Sequence, residues 1–184
     1  QRGALLRGYN NEFYGLLQLI DKSEGNNNSP GKSLNISVVL DRSGSMAGEP
    51  LIEAKKAATM MIEKMRPSDY ISVVAYDSFA DLIVPSTRCS DKRAIINAIN
   101  EIYDRGLTDL HSGWLMGAEQ VALNKSSQSI NRILLLSDGM ANRGVTDLDQ
   151  LNDQCSQLAS TNITTSTYGL GSQFNEELMV EMAR

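Results

Sequence analysis

The stretch Leu34–Pro50, LNISVVLDRSGSMAGEP, limits what this chain can fold into more than any other. A mostly apolar run, Ile36–Leu40 with Ser37 inside it, stops at Asp41, Ser43 and Ser45, spaced D-x-S-x-S, and Pro50 then suits the first turn of a helix. A short β-branched and aliphatic run, a polar turn and a helix together read as a buried parallel strand and the start of its crossover. In open sheets of this kind, ligands gather beyond the carboxyl ends of the strands. There the spacing sets three side-chain oxygens within five residues. Asp offers a hard anionic oxygen and each Ser a neutral one, a set that suits Mg²⁺, Mn²⁺ or Ca²⁺ rather than Zn²⁺ or Cu²⁺. With one His and two well-separated Cys, the chain has no obvious zinc ligand set. A single carboxylate among hydroxyls would leave a divalent ion under-neutralised and attractive to an outside acidic group. The same residue types are ordinary in loops and helix caps, so the triplet alone leaves both readings open.

Two later stretches bear on that choice. Gly106-Leu107-Thr108-Asp109 adds a hydroxyl in a loop ahead of a helix, and Ser137-Asp138-Gly139 adds a carboxylate directly after the apolar run Ile133–Leu136. In this order, the three stretches resemble a von Willebrand factor A domain with a metal-ion-dependent adhesion site. The segments LDRSGSMAGEPL, LLLSDGMANRGVTD and YGLGSQFNEELM are most similar to bacterial members and to the A domain of inter-alpha-trypsin-inhibitor heavy chains. The resemblance covers roughly residues 34–184. It implies a Rossmann-like three-layer α/β fold, a mostly parallel sheet with one antiparallel edge strand and helices on both faces. It also implies a metal site of Asp41, Ser43, Ser45, Thr108 and Asp138, the last acting directly or through water. The ion would be Mg²⁺, with Mn²⁺ or Ca²⁺ as alternatives, and a protein partner would offer it an Asp or Glu. The expected rim of that site is Arg42, Met46, Glu49, His111, Met140, Asn142 and Arg143.

The rest of the chain reads as alternating helices and strands. A helix over Pro50–Met65 buries Leu51, Ala54, Ala58, Met61, Ile62 and Met65 on one stripe. Tyr70–Tyr76 is a second buried strand, and only Asp77-Ser78-Phe79 separates it from a third at Ala80–Pro85. That link is too short for a parallel crossover, so the third strand is antiparallel and at an edge. Ser90, Thr146 and Asn175 are expected N-caps of later helices. Gly113 and Gly117, one helical turn apart, suggest close approach of their helix to the sheet. Residues 1–33 precede the resemblance. Glu12–Ile20 reads as a strand that pairs with a sheet edge or closes a preceding β domain, and Asp21–Lys32 as a polar loop. Because the family usually continues with another strand and helix, the domain over 34–184 is expected to be shortened at its C-terminal end.

Composition narrows the function. A net charge of −5 argues against nucleic acid as a partner, and no apolar run approaches the ~18 residues of a membrane span. A haloacid-dehalogenase-like site wants D-x-D after the first strand, but Ser43 stands in the third position. A response regulator wants an acidic pair and a Lys after the later strand, where none follows Leu136. Gly44-Ser45-Met46-Ala47-Gly48 is not the G-x-S-x-G elbow of serine hydrolases. Phe174 replaces the third glycine of a dinucleotide fingerprint, and Asn26 the first glycine of a P-loop. A metal-assisted hydrolase would need a general base, for which Asp109 and Asp77 are the candidates. The leading expectation is a non-enzymatic, metal-dependent protein-binding module. A scaffold with a merely structural ion, and a Mg²⁺- or Mn²⁺-assisted hydrolase, stand beside it.

Overall fold

Strand β1 (Ser33–Asp41) lies at the middle of a five-stranded sheet in this computed structural model, which describes residues 31–171 and 174–183. Its position follows from its side chains. Val38 and Leu40 enter one core and Val39 the other, and all three are fully buried. A strand buried on both faces needs neighbours on both sides and helices above and below. The neighbours are β2 (Tyr70–Tyr76) and β4 (Ser129–Ser137), both parallel to β1. Outside them lie β3 (Ala80–Arg88), antiparallel to β2, and β5 (Thr164–Gly169), parallel to β4. The order is β3-β2-β1-β4-β5. This is the mostly parallel Rossmann-like α/β sheet expected, with its one antiparallel strand at an edge.

Helices α1 (Glu49–Lys64) and α2 (Lys92–Asn100) cover one face, burying Leu51, Ala54, Ala58, Ile62, Ile95 and Ile99. Helices α3 (Leu110–Leu123), α4 (Leu148–Ser160) and α5 (Glu176–Met182) cover the other. The first crossover leaves β1 for β2 on one side, whereas β4 pairs with β1 on the opposite side. That reversal opens a crevice at the carboxyl ends of β1 and β4, where open α/β sheets bind ligands. The strand expected at Glu12–Ile20 lies outside the described residues.

Several boundaries differ from the sequence reading. β3 runs past Pro85 to Arg88, because an edge strand has no ladder partner on its outer side and Pro85 falls where the register with β2 breaks. The caps of α2 and α4 are Asp91 and Asp147, one residue after Ser90 and Thr146. Their carboxylates accept from Ala94 N at 3.0 Å and Gln150 N at 2.9 Å. A charged oxygen there also meets the positive end of the helix dipole, which a hydroxyl does less well. Asn175 caps α5 as expected, accepting from Leu178 N at 3.2 Å. Both cysteines are buried free thiols, Cys89 under α1 and Cys155 on α4.

The glycines of α3 do bring that helix against the sheet. A Cβ on Gly117 would stand 2.5 Å from Val39 Cγ2, and one on Gly113 2.4 Å from Tyr76 Cδ1. Neither neighbour can yield cheaply, since Val39 and Tyr76 sit on central strands with no exposed surface. Gly113→Ala and Gly117→Ala are therefore each expected to destabilise the fold by about 1–3 kcal/mol from overpacking, despite a helix-propensity gain of up to about 1 kcal/mol. Urea unfolding of the two variants measures the loss.

Candidate metal centre

Asp41 ends β1 and is completely buried. The parallel register pairs Leu40 with Leu136, which carries Ser137 beside Asp41. Ser137 Oγ donates to Asp41 Oδ2 at 2.6 Å, and Tyr76 OH, from β2, donates to the same oxygen at 3.1 Å. Asp41 Oδ1 accepts from Ser43 N at 2.9 Å. Three donors thus fix the carboxylate, and about one of its four acceptor positions is left. Among the described residues no Lys, Arg or His pairs with it. Burial pushes the Asp41 carboxyl above its usual range, the Ser137 and Ser43 hydrogen bonds pull it back, and the charge of Asp138 pushes it up again. Burial, followed by the charge of Asp41, also holds the Tyr76 phenol well above its ordinary value, so it remains a donor.

Ser43 caps a short 3-10 turn, Gly44–Met46, and Ser45 lies within it. Their hydroxyls lie 3.1 Å apart. Two ligands on one edge of an octahedron around Mg²⁺, with metal–oxygen distances of about 2.1 Å, are separated by roughly 3 Å. The pair therefore fits a shared small hard cation. Thr108, buried in the loop before α3, is tied to the loop after β4: its N donates to Asn142 Oδ1 at 3.0 Å, and its carbonyl accepts from Asn142 N and Arg143 N, both at 3.2 Å. Asp138 follows Ser137; its Oδ1 accepts from Met140 N at 2.9 Å. A cleft of about 330 Å³ opens here, lined by Ser45, Thr108, Met140, Ala141, Asn142, Asn175 and the glycines 44, 106 and 139.

The donor chemistry is hydroxyl-rich. Among the described residues no group of three His, Cys, Asp or Glu could hold a metal. Instead, Ser45 and Thr108 line one cleft from two loops, Ser43 stands beside Ser45, and Asp138 lies near enough to Asp41 for its charge to be felt, with no cationic side chain paired to either carboxylate among the described residues. Buried anionic oxygen of this kind is costly unless a cation compensates it.

The rim differs from expectation at several positions. Met46 is fully buried in the α1 core, because the 3-10 turn points it inward. Arg42 is only 4% exposed and faces away from the cleft. Its Nε donates to Asp77 Oδ2 at 2.7 Å and its Nη2 to Asp81. His111 is turned toward α4, where Nε2 donates to Gln154 Oε1 at 2.7 Å and its ring leans on Trp114. Glu49 is exposed at the start of α1 and does not line the cleft. Met140 and Asn142 do line it, and Arg143 is exposed next to them.

Sequence reasoning missed the group that braces these loops. Arg105 joins Arg42 on the same acids, with Nε to Asp77 Oδ2 and Nη2 to Asp81 Oδ2, both at 2.8 Å. Backbone bonds run through the same residues: Arg42 N to Tyr76 O at 2.9 Å, Arg105 N to Arg42 O at 2.7 Å and Asp109 N to Asp77 O at 2.7 Å. The D-x-S-x-S loop and the Thr108 loop are thereby fastened to one turn. Gly106 makes the fit possible, with a φ of +74° and Ser78 Oγ only 2.8 Å from where a Cβ would be. The signal was two carboxylates and two arginines near strand ends, indistinguishable in sequence from solvated loop charges. Tyr76 and Ser137 were missed as Asp41 partners because Tyr76 reads as the end of an apolar strand and Ser137 as part of the S-D-G turn.

The fold defines an α/β domain with a polar cleft at its strand ends, and the chain belongs to the von Willebrand factor type A domain family, whose model matches residues 35–184. Among its relatives is the uncharacterized protein sll0103 of Synechocystis sp., 31% identical over 154 residues, 82% of this chain and 35% of that protein. YfbK of Escherichia coli is 31% identical over 153 residues, 81% of this chain and 26% of its own length. Human inter-alpha-trypsin inhibitor heavy chain H3 is 25% identical over 162 residues, 81% and 18% respectively. The chain thus spans about a third or less of these relatives. The fold is shared with BatB from Bacteroides thetaiotaomicron (TM-score 0.68, 15% identity, 82% of this chain and 85% of that one). It is shared equally with proximal thread matrix protein 1 of the mussel byssus (TM-score 0.70, 17% identity, 83% and 42%).

The brace has a pH signature. Burial alone would push the Asp77 carboxyl up, but hydrogen bonds from Arg105 and Arg42 more than offset it and hold it below the usual range. A depressed folded value stabilises the fold above the ordinary Asp value, near 3.9. That stabilisation is lost as pH falls through the folded value. Asp77→Asn is expected to cost about 3 kcal/mol near neutral pH, as for a broken buried pair. The gap to wild type should then shrink in acid. Urea unfolding across pH measures both.

Proposed function

We propose that the chain is a metal-dependent protein-binding module. Asp41, Ser43, Ser45, Thr108 and Asp138 would hold one divalent cation, most simply Mg²⁺, and a partner's Asp or Glu would complete its coordination. The observation that carries this reading is the buried Asp41 carboxylate, which accepts three hydrogen bonds but has no cationic side-chain partner among the described residues, at the open end of β1 and β4. When bound, the cation supplies a positive charge that prefers hard oxygen and exchanges waters for a carboxylate. The chain's own part is to hold five oxygens in three loops, braced so that little rearrangement accompanies binding.

Two observations favour binding over hydrolysis. Asp109, one candidate general base, caps α3 through Ser112 N at 3.1 Å. Asp77, the other, is occupied by Arg42 and Arg105. Metal choice is an experimental matter. The mussel protein has been solved with a zinc-occupied site of this kind, and the Plasmodium vivax TRAP protein, which also shares the fold (TM-score 0.66, 16% identity, 83% of this chain and 63% of that one), was solved manganese-loaded. No helix among the described residues is long and apolar enough to cross a membrane.

Isothermal titration of Mg²⁺, Mn²⁺, Ca²⁺ and Zn²⁺ tests the reading. The wild-type chain is expected to bind one equivalent, with a rise in Tm on loading. Asp41→Asn, which keeps the shape of the hydrogen-bond acceptor, is expected to abolish binding, and Thr108→Val to weaken it. Undiminished titration in Asp41→Asn would overturn the assignment.

A further inference from the structure

The crest beside the cleft carries large apolar side chains that the fold leaves outside. Phe79 is 64% exposed and Leu107 52%, and Met140, on the cleft wall itself, is 50% exposed. They come from three loops that the hydrogen bonds hold together. Leu107 N donates to Ser78 Oγ at 3.0 Å, and Arg143 N to the carbonyl of Thr108. Exposed apolar groups gathered around a polar cleft mark contact surfaces more often than solvent-facing accidents.

The charges of this edge are divided unevenly. Arg42 and Arg105 are committed to Asp77 and Asp81. Arg143 pairs with no carboxylate among the described residues. Its guanidinium carbon lies 5.0 Å over the Phe79 ring, a contact that positions the group and leaves its N–H donors free. An unpaired, ring-supported arginine is suited to take a carboxylate in bidentate fashion. On a chain with a net charge of −5, an acidic ligand needs such local positive points to approach at all.

We infer that this edge is a two-point docking surface for a protein segment carrying two acidic side chains and a bulky apolar one. The first carboxylate completes the metal centre, the second pairs with Arg143, and the apolar side chain lies on Phe79 and Leu107. This rests on the metal-dependent reading above and names the partner chemistry of that site. A partner with one acid alone engages the centre but gains nothing from Arg143.

Selection from a random displayed-peptide library on the full chain in Mg²⁺, eluted with EDTA, tests the inference. The eluted pool is expected to be enriched in sequences with two acids and a Phe, Leu, Ile, Trp or Met. A peptide from that pool should bind Arg143→Glu about tenfold more weakly, since reversing a contact charge turns attraction into repulsion. Mg²⁺ titration of that variant should be unchanged. Selection repeated on Arg143→Glu should exchange the second acid for Lys or Arg. Phe79→Ala should lower affinity with no change in Mg²⁺ binding. A pool with one acid and no second charge preference, equal affinity for Arg143→Glu, or a Mg²⁺-dependent dimer of the chain that masks the site would each overturn the two-point surface. An empty EDTA-eluted pool overturns it too: with Mg²⁺ titration intact the failure belongs to this inference, and with Mg²⁺ titration absent it belongs to the metal reading beneath it.

Discussion

A carboxylate held in the interior with no counter-charge among the described residues governs the upper edge of this domain. Asp41 has no exposed surface, and its stabilisation comes from neutral donors: Ser43 N, Ser137 Oγ and Tyr76 OH. Such donors lessen the cost of burying an anion but do not neutralise it. Nearby Asp138 adds to the negative potential. The neighbouring loops are arranged around this excess. Ser43 and Ser45 bring their hydroxyls within 3.1 Å of each other in the turn after β1, and Thr108, from the loop before α3, lines the same cleft as Ser45.

The loops keep that arrangement because they are fastened from below. Arg42 points away from the cleft and, with Arg105, closes on Asp77 and Asp81. Asp77 and Arg42 are both nearly buried, so their ion pair is shielded from the salt screening that weakens surface pairs, while Arg105 and Asp81 at the outer end are half exposed. Backbone bonds through Arg42, Asp77, Arg105 and Asp109 join the same three segments. The consequence is a division of labour within one short loop: Gly44 and Ser45 line the cleft, and Arg42 anchors the loop to the turn after β2. On the far side, Gly113 lets α3 lie against Tyr76, and Tyr76 in turn reaches Asp41. Helix packing and the position of the carboxylate are therefore mechanically linked.

Much of this was legible before any coordinates. The β1 run, the short link before β3 and the helix stripes each carry a local signal, because alternation and 3.6-residue spacing reflect burial directly. The D-x-S-x-S and S-D-G turns stand out because each directly follows an apolar run: Asp41 ends β1, and Asp138 comes just after β4. The rim was less so. Arg42, Met46, His111 and Arg143 all look alike as loop or first-turn residues, yet Arg42 and Met46 are buried, His111 turns to α4, and Arg143 faces outward. Orientation at a loop position depends on what lies opposite, and no period in the sequence encodes that.

The sequence by itself determined the fold class, the sheet's one antiparallel edge and the hydroxyl and carboxyl side chains that follow β1 and β4, since these follow from side-chain type and from spacing along a single segment. The tertiary structure alone decided who meets whom. Ser137 reaches Asp41 across 96 positions, and Arg42 reaches Asp77 across 35. Those meetings depend on strand order and register, which arise when the whole sheet closes around its two cores, and they settle which charges are cancelled inside and which remain at the surface to meet another molecule.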